Sequence, residues 1–203
     1  LQLYIDMKQQ IANRLGQLRA EMKKNGIAAV LIPQTDPHQS EYIADHWQVR
    51  RWLSGFTGSA GTLVVTPDDA RLWTDSRYFL QAAQQLEGTD IKLMKDGLTD
   101  TPSIQHYLTH TLTAGDTVGI DGALFNPADT AALRNVLEKK GMKLNTAFDV
   151  TDSIWTDRPE LPDAPLLIHD VKFAGETASA KIAKILADAA EQGADSVFIS
   201  ALD

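Results

Sequence analysis

The run LWTDSRYFLQAA, Leu72 to Ala83, ends an apolar segment in T-D-S and opens an amphipathic one. Asp75 or Ser76 carries the short side-chain oxygen that caps a helix N-terminus, which puts Arg77 in the first turn. A cation there faces the positive end of the helix dipole, so its sign is wrong for its place. Two readings follow from the spacing. Asp75 neutralises Arg77 within the chain, or the guanidinium faces a carboxylate or carbonyl supplied from outside the domain.

Three other groups have residue types that could do chemistry. Asp36, His38, Glu41, Asp45 and His46 follow the first strongly apolar segment, the place where open α/β sheets hold ligands. The ordinary reading of the same residues is a turn at Asp36-Pro37 and a helix cap at Ser40. His106 and His110 are four apart on a helical pattern and share a face, but the run is HYLTH. It lacks the glutamate of the H-E-x-x-H zinc peptidases, so partly exposed helix histidines are expected. Gly55, Gly58 and Gly61 in GFTGSAGT have no lysine beside them and a strand after them. A phosphate loop needs a helix N-terminus at that point, so tight turning between strands is expected instead. Neither Ser54-Gly55 nor Ser59-Ala60-Gly61 forms a strand-to-helix elbow. Spacing therefore assigns no catalytic residue and no metal ligand within this chain.

The elements that must position these residues alternate. Ile11 to Asn25 has Ile11, Leu15, Leu18 and Met22 at helical spacing and closes on Gly26. IAAVLIP (27–33) reads as a buried strand, and TDPHQSEYIAD as a loop entering a short helix. RRWLSGF (50–56) reads as a strand. TLVVT (62–66) and ARLWT (70–74) read as a hairpin around Pro67-Asp68-Asp69. The Arg77 helix, then DIKLMK (strand), SIQHYLTHTL (helix), TVGI (strand), PADTAALRNVLEKKG (helix) and MKLN (strand) complete the pattern. The fold class expected is α/β, a mixed β-sheet flanked by helices.

Composition bounds the function. The 203 residues are 43% hydrophobic and 23% charged, an ordinary globular balance. The net charge of −8 disfavours a nucleic-acid partner. The absence of cysteine removes disulfides, thiolate metal sites and cysteine nucleophiles. No segment nears the ~20 apolar residues of a membrane span. LQLYIDMKQQ shows no secretory pattern, so a soluble, cytoplasmic protein is expected.

WTDRPELPDAP (155–165) holds three prolines in seven residues and reads as a linker. Beyond it, Lys181–Asp203 aligns without a gap on Arg14–Asp36, 23 residues each and five of them identical, including Gly26 with Gly193 and Asp36 with Asp203. Each stretch reads as helix, glycine, apolar strand and aspartate. This is either a common helix–Gly–strand unit arising twice or a repeated domain. On the second reading residues 1–154 are one whole domain, and 166–203 open a related second one that is truncated. One helix and one strand cannot bury both sides of an apolar strand. The segment must then pack on the first domain, pack on another chain as in a homodimer, or fray.

The order PQTDPHQSEYIA, RRWLSGFTGSAGTLVVT, LWTDSRYFLQAA and IWTDRPELP closely resembles the N-terminal part of cytosolic X-prolyl aminopeptidases (aminopeptidase P) of the three-domain form. The likeness runs from about Asn13 to Asp203, and the combination of motifs is specific where a single one is not. It implies two related creatinase-type domains followed by a C-terminal pita-bread catalytic domain. It implies removal of the N-terminal residue from peptides with proline second. It also implies two divalent metals, usually manganese, on ligands of that catalytic domain, none of which lies in this sequence. The chain alone is therefore expected to be inactive and to serve substrate gating and assembly, with the peptide substrate and its own catalytic domain as partners. The resemblance further implies that Arg77, the arginine of W-T-D-x-R-Y-F, contacts substrate. The competing class is a non-catalytic interaction module, since some pita-bread relatives bind proteins such as histones. The intact W-T-D-S-R run favours the enzyme.

Overall fold

The computed structural model describes residues 2–199. They form two compact units, one up to Glu160 and one from Leu161 on.

The first unit is built on six strands: β1 (Ala29–Ile32), β2 (Thr62–Val65), β3 (Ala70–Thr74), β4 (Ile91–Lys95), β5 (Thr117–Ile120) and β6 (Lys143–Asn145). Their order across the sheet is β4-β3-β2-β1-β5-β6. Strand β2 runs antiparallel to both β1 and β3, while β3 and β4, β1 and β5, and β5 and β6 are parallel pairs. The sheet is thus mixed, with β2 alone reversed. The expected hairpin is present, with Val65 opposite Ala70 and Thr62 opposite Trp73.

Helices cover both faces, so the central strands read as unbroken apolar runs. Alternate residues of β1 point to opposite sides. Val30 and Ile32 join one core with Ile11, Leu15, Leu18 and Met22 of α1 (Gln2–Lys24). The same core takes in Val49 and Leu53 of α2 (Val49–Ser54), Ala82 and Leu86 of α3 (Phe79–Leu86), and Ile154 of α6 (Thr151–Ile154). Ala29 and Leu31 join the other core with Tyr107 and Leu108 of α4 (Ile104–Thr111) and with Leu133 and Leu137 of α5 (Pro127–Glu138). Trp155 is buried at the end of the first core, stacked on Trp52 at 5.0 Å, and Arg14 lies over the Trp52 ring at 4.6 Å.

Three expectations are corrected. The stretch 50–56 is not a strand; its first part is helix α2, closed by Gly55. Trp52, Leu53 and Phe56 give the run the aromatic and apolar content of a strand. The buried residues are Val49, Arg50, Leu53 and Ser54, one face of a helix. Ser40 caps no helix; its backbone N–H donates to Asp36 Oδ1 at 3.0 Å, inside a turn. In the second unit, α7 (Val171–Ala174) and α8 (Ala178–Glu191, capped by Thr177) form, but 195–199 make no strand among the described residues. A strand needs a neighbour for its backbone groups, and Val197, Phe198 and Ile199 are exposed. Asp203, the last residue of the repeat, lies outside the described residues.

Candidate functional site

All strands but β2 point the same way, so their C-terminal ends share one edge of the sheet. The chain leaves β1 there through Gln34 and Asp36, leaves β3 through Asp75 and Arg77, and leaves β5 through Asp121. The glycine-rich loop 55–61 enters β2 at that same edge. This is where an open α/β sheet places its ligand-facing groups.

Arg77 sits in a 3₁₀ turn, Ser76–Tyr78, that runs into α3. Asp75 caps the turn by accepting the Arg77 backbone N–H at 3.0 Å. The same carboxylate takes the side chain in a two-point grip, Nε to Oδ1 at 2.9 Å and Nη2 to Oδ2 at 2.8 Å. Those hydrogen bonds hold the Asp75 carboxyl below its usual range and the guanidinium above its own, with the field of Glu41 adding to the latter. Asp75 therefore answers the wrong-sign charge at the helix start. It does not use up the arginine. The guanidinium has five N–H donors, and the side chain is 65% exposed, so the edge away from Asp75 faces outward with its donors available. Its direction is fixed by the rigid fork on the other edge.

Tyr78, next in the chain, pairs its hydroxyl with Ser59 Oγ at 2.8 Å. That hydrogen bond, with the Arg77 charge behind it, pulls the phenol pKa down. The Tyr78 ring meets Phe56 edge-on at 5.9 Å. A side chain at Gly58 would enter this contact: its Cβ would lie 2.8 Å from Tyr78 Cδ1 and closer still to Phe56 Cζ. At Gly61, φ is +142° and a Cβ would sit 2.6 Å from the Trp73 carbonyl oxygen. These two glycines let the loop lie against β3 and Tyr78. Their role is close approach, in a loop that joins α2 to β2 and not two strands as expected, and no helix N-terminus is delivered to a phosphate.

Beneath the loop lies Arg50 of α2, whose side chain is fully buried. Its guanidinium stacks over Phe56 at 4.6 Å, donates from Nε to Gln34 Oε1 at 2.9 Å and from Nη2 to the Gly58 carbonyl. Nη1 has no partner among the described residues. Burial outweighs the opposing field of Tyr78 and, with the like charge of Arg51, pulls the Arg50 pKa down to about 9. Sequence reasoning missed this residue, because arginine ordinarily signals surface. The only hint is its place between the apolar Val49 and Leu53.

The other candidates do not converge. Asp36 accepts the backbone N–H groups of His38 and Ser40. His46 Nδ1 bonds the Pro159 carbonyl at 2.7 Å, and its ring lies edge-on to Trp47. His106 and His110 stack at 3.8 Å on the exposed side of α4, with His110 Nδ1 against the His106 carbonyl. Among the described residues no group of three or more histidines, aspartates or glutamates is placed to hold a metal ion. No described helix is long and apolar enough to cross a membrane.

Comparison with known proteins fits this edge into a family. Residues 14–159 match the Creatinase/Prolidase N-terminal domain, and residues 157–203 match a second domain family of the same description. Aminopeptidase P2 of Arabidopsis thaliana is 42% identical over 181 residues, 88% of this chain and 25% of that protein. A probable Xaa-Pro aminopeptidase P of Talaromyces marneffei is 40% identical over 194 residues, 95% of this chain and 29% of that one. The chain thus spans between a quarter and a third of the length of these two relatives. Among solved structures, an X-prolyl aminopeptidase of Caenorhabditis elegans, described as a cytosolic enzyme with a di-nuclear active site, superposes with a TM-score of 0.74 at 36% identity. That match covers 82% of this chain and 27% of the worm enzyme. The N-terminal domain of the cytoplasmic peptidase PepQ of Mycobacterium tuberculosis gives a TM-score of 0.51 at 28% identity, over 70% of this chain and 98% of that one. The chain belongs to the creatinase/prolidase N-terminal domain family, in the form carried by the Xaa-Pro aminopeptidases P.

Proposed function

We propose that this chain is the N-terminal region of an Xaa-Pro aminopeptidase, and that it binds and gates the substrate without performing the hydrolysis. The observation that carries the reading is Arg77. It is exposed, braced by Asp75 from one side, and presents its remaining donors from the ligand-bearing edge of the sheet. A guanidinium so held suits a peptide carbonyl or carboxylate. The first domain runs to Glu160, past the boundary expected at 154, because Trp155 belongs to its core, and 166–203 act as the opening of a second, related domain.

The di-nuclear centre named for the worm relative corresponds, on this reading, to two divalent metal ions in a separate catalytic domain. The residues described here do not fit such a centre, so no bond-breaking step is assigned to them. Their work is to orient the peptide and to limit which chains reach the metals. The same relative supports a cytosolic setting, and the Xaa-Pro names of the relatives support the substrate class. The test is direct. Supply the longer natural protein with manganese and an X-Pro peptide, and follow release of the first residue. Turnover by the long form with none from residues 1–203 supports the reading. Turnover by residues 1–203 alone, above contamination, overturns the division of labour; no turnover by the long form overturns the activity.

A further inference from the structure

We infer that Arg50 is a positioning residue for the Arg77 face, its buried guanidinium fixing Gly58 and, through Ser59 and Tyr78, the direction in which Arg77 presents its donors. The inference rests on the reading that Arg77 meets substrate.

Arg50 is an anomaly in a core. A guanidinium removed from water needs a counter-charge or a full set of acceptors. Arg50 has neither. The ionisable groups acting on it are Tyr78 and Arg51, with no carboxylate among them, and Nη1 is unpartnered among the described residues. A methionine would fill similar space with no charge to desolvate. What the arginine provides is directional: Nε to Gln34 at the end of β1, Nη2 to the Gly58 carbonyl, and its flat face on Phe56. The end of β1 and the loop 55–61 are tied at the same sheet edge by one planar group.

Those ties lead to the surface. Gly58 is packed so closely on Phe56 and Tyr78 that a Cβ has no room. Moving the Gly58 carbonyl therefore moves the ring of Tyr78. Ser59, the next residue, holds the Tyr78 hydroxyl at 2.8 Å. Tyr78 adjoins Arg77, and the Arg77 guanidinium lies 5.3 Å from the centre of its ring. The face presented outward is thus set from two sides, by Asp75 at one edge of the arginine and by Tyr78 beside it. The charge of Arg50 also acts on Tyr78, since the field between two groups is mutual. The other charged groups beside that phenol are Arg77 and Asp75.

The experiment uses Arg50→Met, Arg50→Lys and Arg77→Ala, singly and with Arg50→Met and Arg77→Ala combined. In the longer enzyme, Arg77→Ala alone lowers kcat/KM about 10-fold, whereas in the Arg50→Met background it lowers it by no more than about 2-fold, because the two act as a unit. Arg50→Lys recovers part of the loss, since an ammonium cannot serve Gln34 and Gly58 in one plane. In the 203-residue chain, with ring-labelled tyrosine, the NMR titration of Tyr78 moves to higher pH in Arg50→Met. A folded Arg50→Met protein with an undiminished Arg77 effect and an unmoved Tyr78 titration overturns the inference. If the long enzyme shows no X-Pro turnover, the proposed function fails instead, and the Tyr78 titration still decides whether Arg50 acts on this face. If Arg50→Met does not fold, Arg50→Gln, which also removes the charge, carries both measurements.

Discussion

Gly58→Ala puts one methyl group where the structure has no space for it. The new Cβ would stand 2.8 Å from Tyr78 Cδ1 and nearer to Phe56 Cζ, and Phe56 is fully buried under Arg50. Ordinary carbon contact begins near 3.5 Å, so one of two rings has to shift by much of an ångström. Phe56 cannot move inward without displacing the guanidinium. Tyr78 can move outward only by giving up Ser59. Overpacking of this kind costs roughly 1–3 kcal/mol, and about 2 kcal/mol is expected here. For a domain of this size each 1 kcal/mol lowers the melting temperature by about 2–4 °C, so a fall of roughly 4–8 °C follows. The control is Gly16→Ala, exposed in the middle of α1 with nothing near its added Cβ. Alanine there gains about 0.5–1 kcal/mol of helix propensity. Differential scanning calorimetry of the two variants should give shifts of opposite sign. A Gly58→Ala protein as stable as the parent, with Tyr78 undisturbed, would refute the close-packed loop on which the site depends.

Three more outcomes follow from the packing and charges. Trp155→Ala removes a buried indole stacked on Trp52 and should cost about 3–5 kcal/mol in denaturant melts; a loss under about 1 kcal/mol would mean that Trp155 is not part of the first core. Asp36 is pushed up by burial, but the Ser40 and His38 hydrogen bonds outweigh this and leave its carboxyl below the usual range. Its contribution is therefore present above the unfolded value near pH 4 and disappears as pH falls through the depressed one. Asp36→Asn should lower stability at pH 7 by about 1–2 kcal/mol and close on the parent near pH 3, and a constant gap across pH would contradict that. Asp121 is the reverse case. Burial, with the Asp149 charge adding and Arg158 opposing, raises its pKa. Its contribution is full at low pH and is lost as pH rises through the raised value, so Asp121→Asn should melt higher than the parent at pH 7 but not at pH 3.5.

Much of the fold is legible in the sequence because its elements differ in period. Ile11, Leu15, Leu18 and Met22 can only line one face of a helix, and AVLI and TLVV are too short and too apolar to be anything but buried strands. The exception is informative. In RRWLSGF the bulky Trp52, Leu53 and Phe56 give the composition of a strand, yet the buried face follows 49, 50, 53 and 54. Arg50 itself breaks the rule that charge marks solvent, so no period count finds it. Asp75 as the cap and partner of Arg77 could be read from T-D-S-R, since a cap two residues before a cation is within reach of both its backbone and its side chain. The convergence of Arg50, Gly58, Ser59 and Tyr78 could not, because it depends on how the loop before β2 lies across the end of β3. The five polar residues after β1 form a sequence cluster that the backbone disperses: Asp36 turns inward to its own loop while His46 turns to Pro159.

The central claim is that Arg77 serves the substrate and not the fold. The deciding measurement is kcat/KM of the longer enzyme on an X-Pro peptide for the parent, Arg77→Ala and Arg77→Lys, beside thermal melts of the same substitutions in residues 1–203. The account predicts that the alanine variant loses about 10-fold or more in kcat/KM, that lysine restores only part, and that melting is little changed, as expected for an exposed ion pair. A normal kcat/KM for Arg77→Ala, or a chain that unfolds without the arginine, would contradict it and leave Asp75 as the whole reason for Arg77.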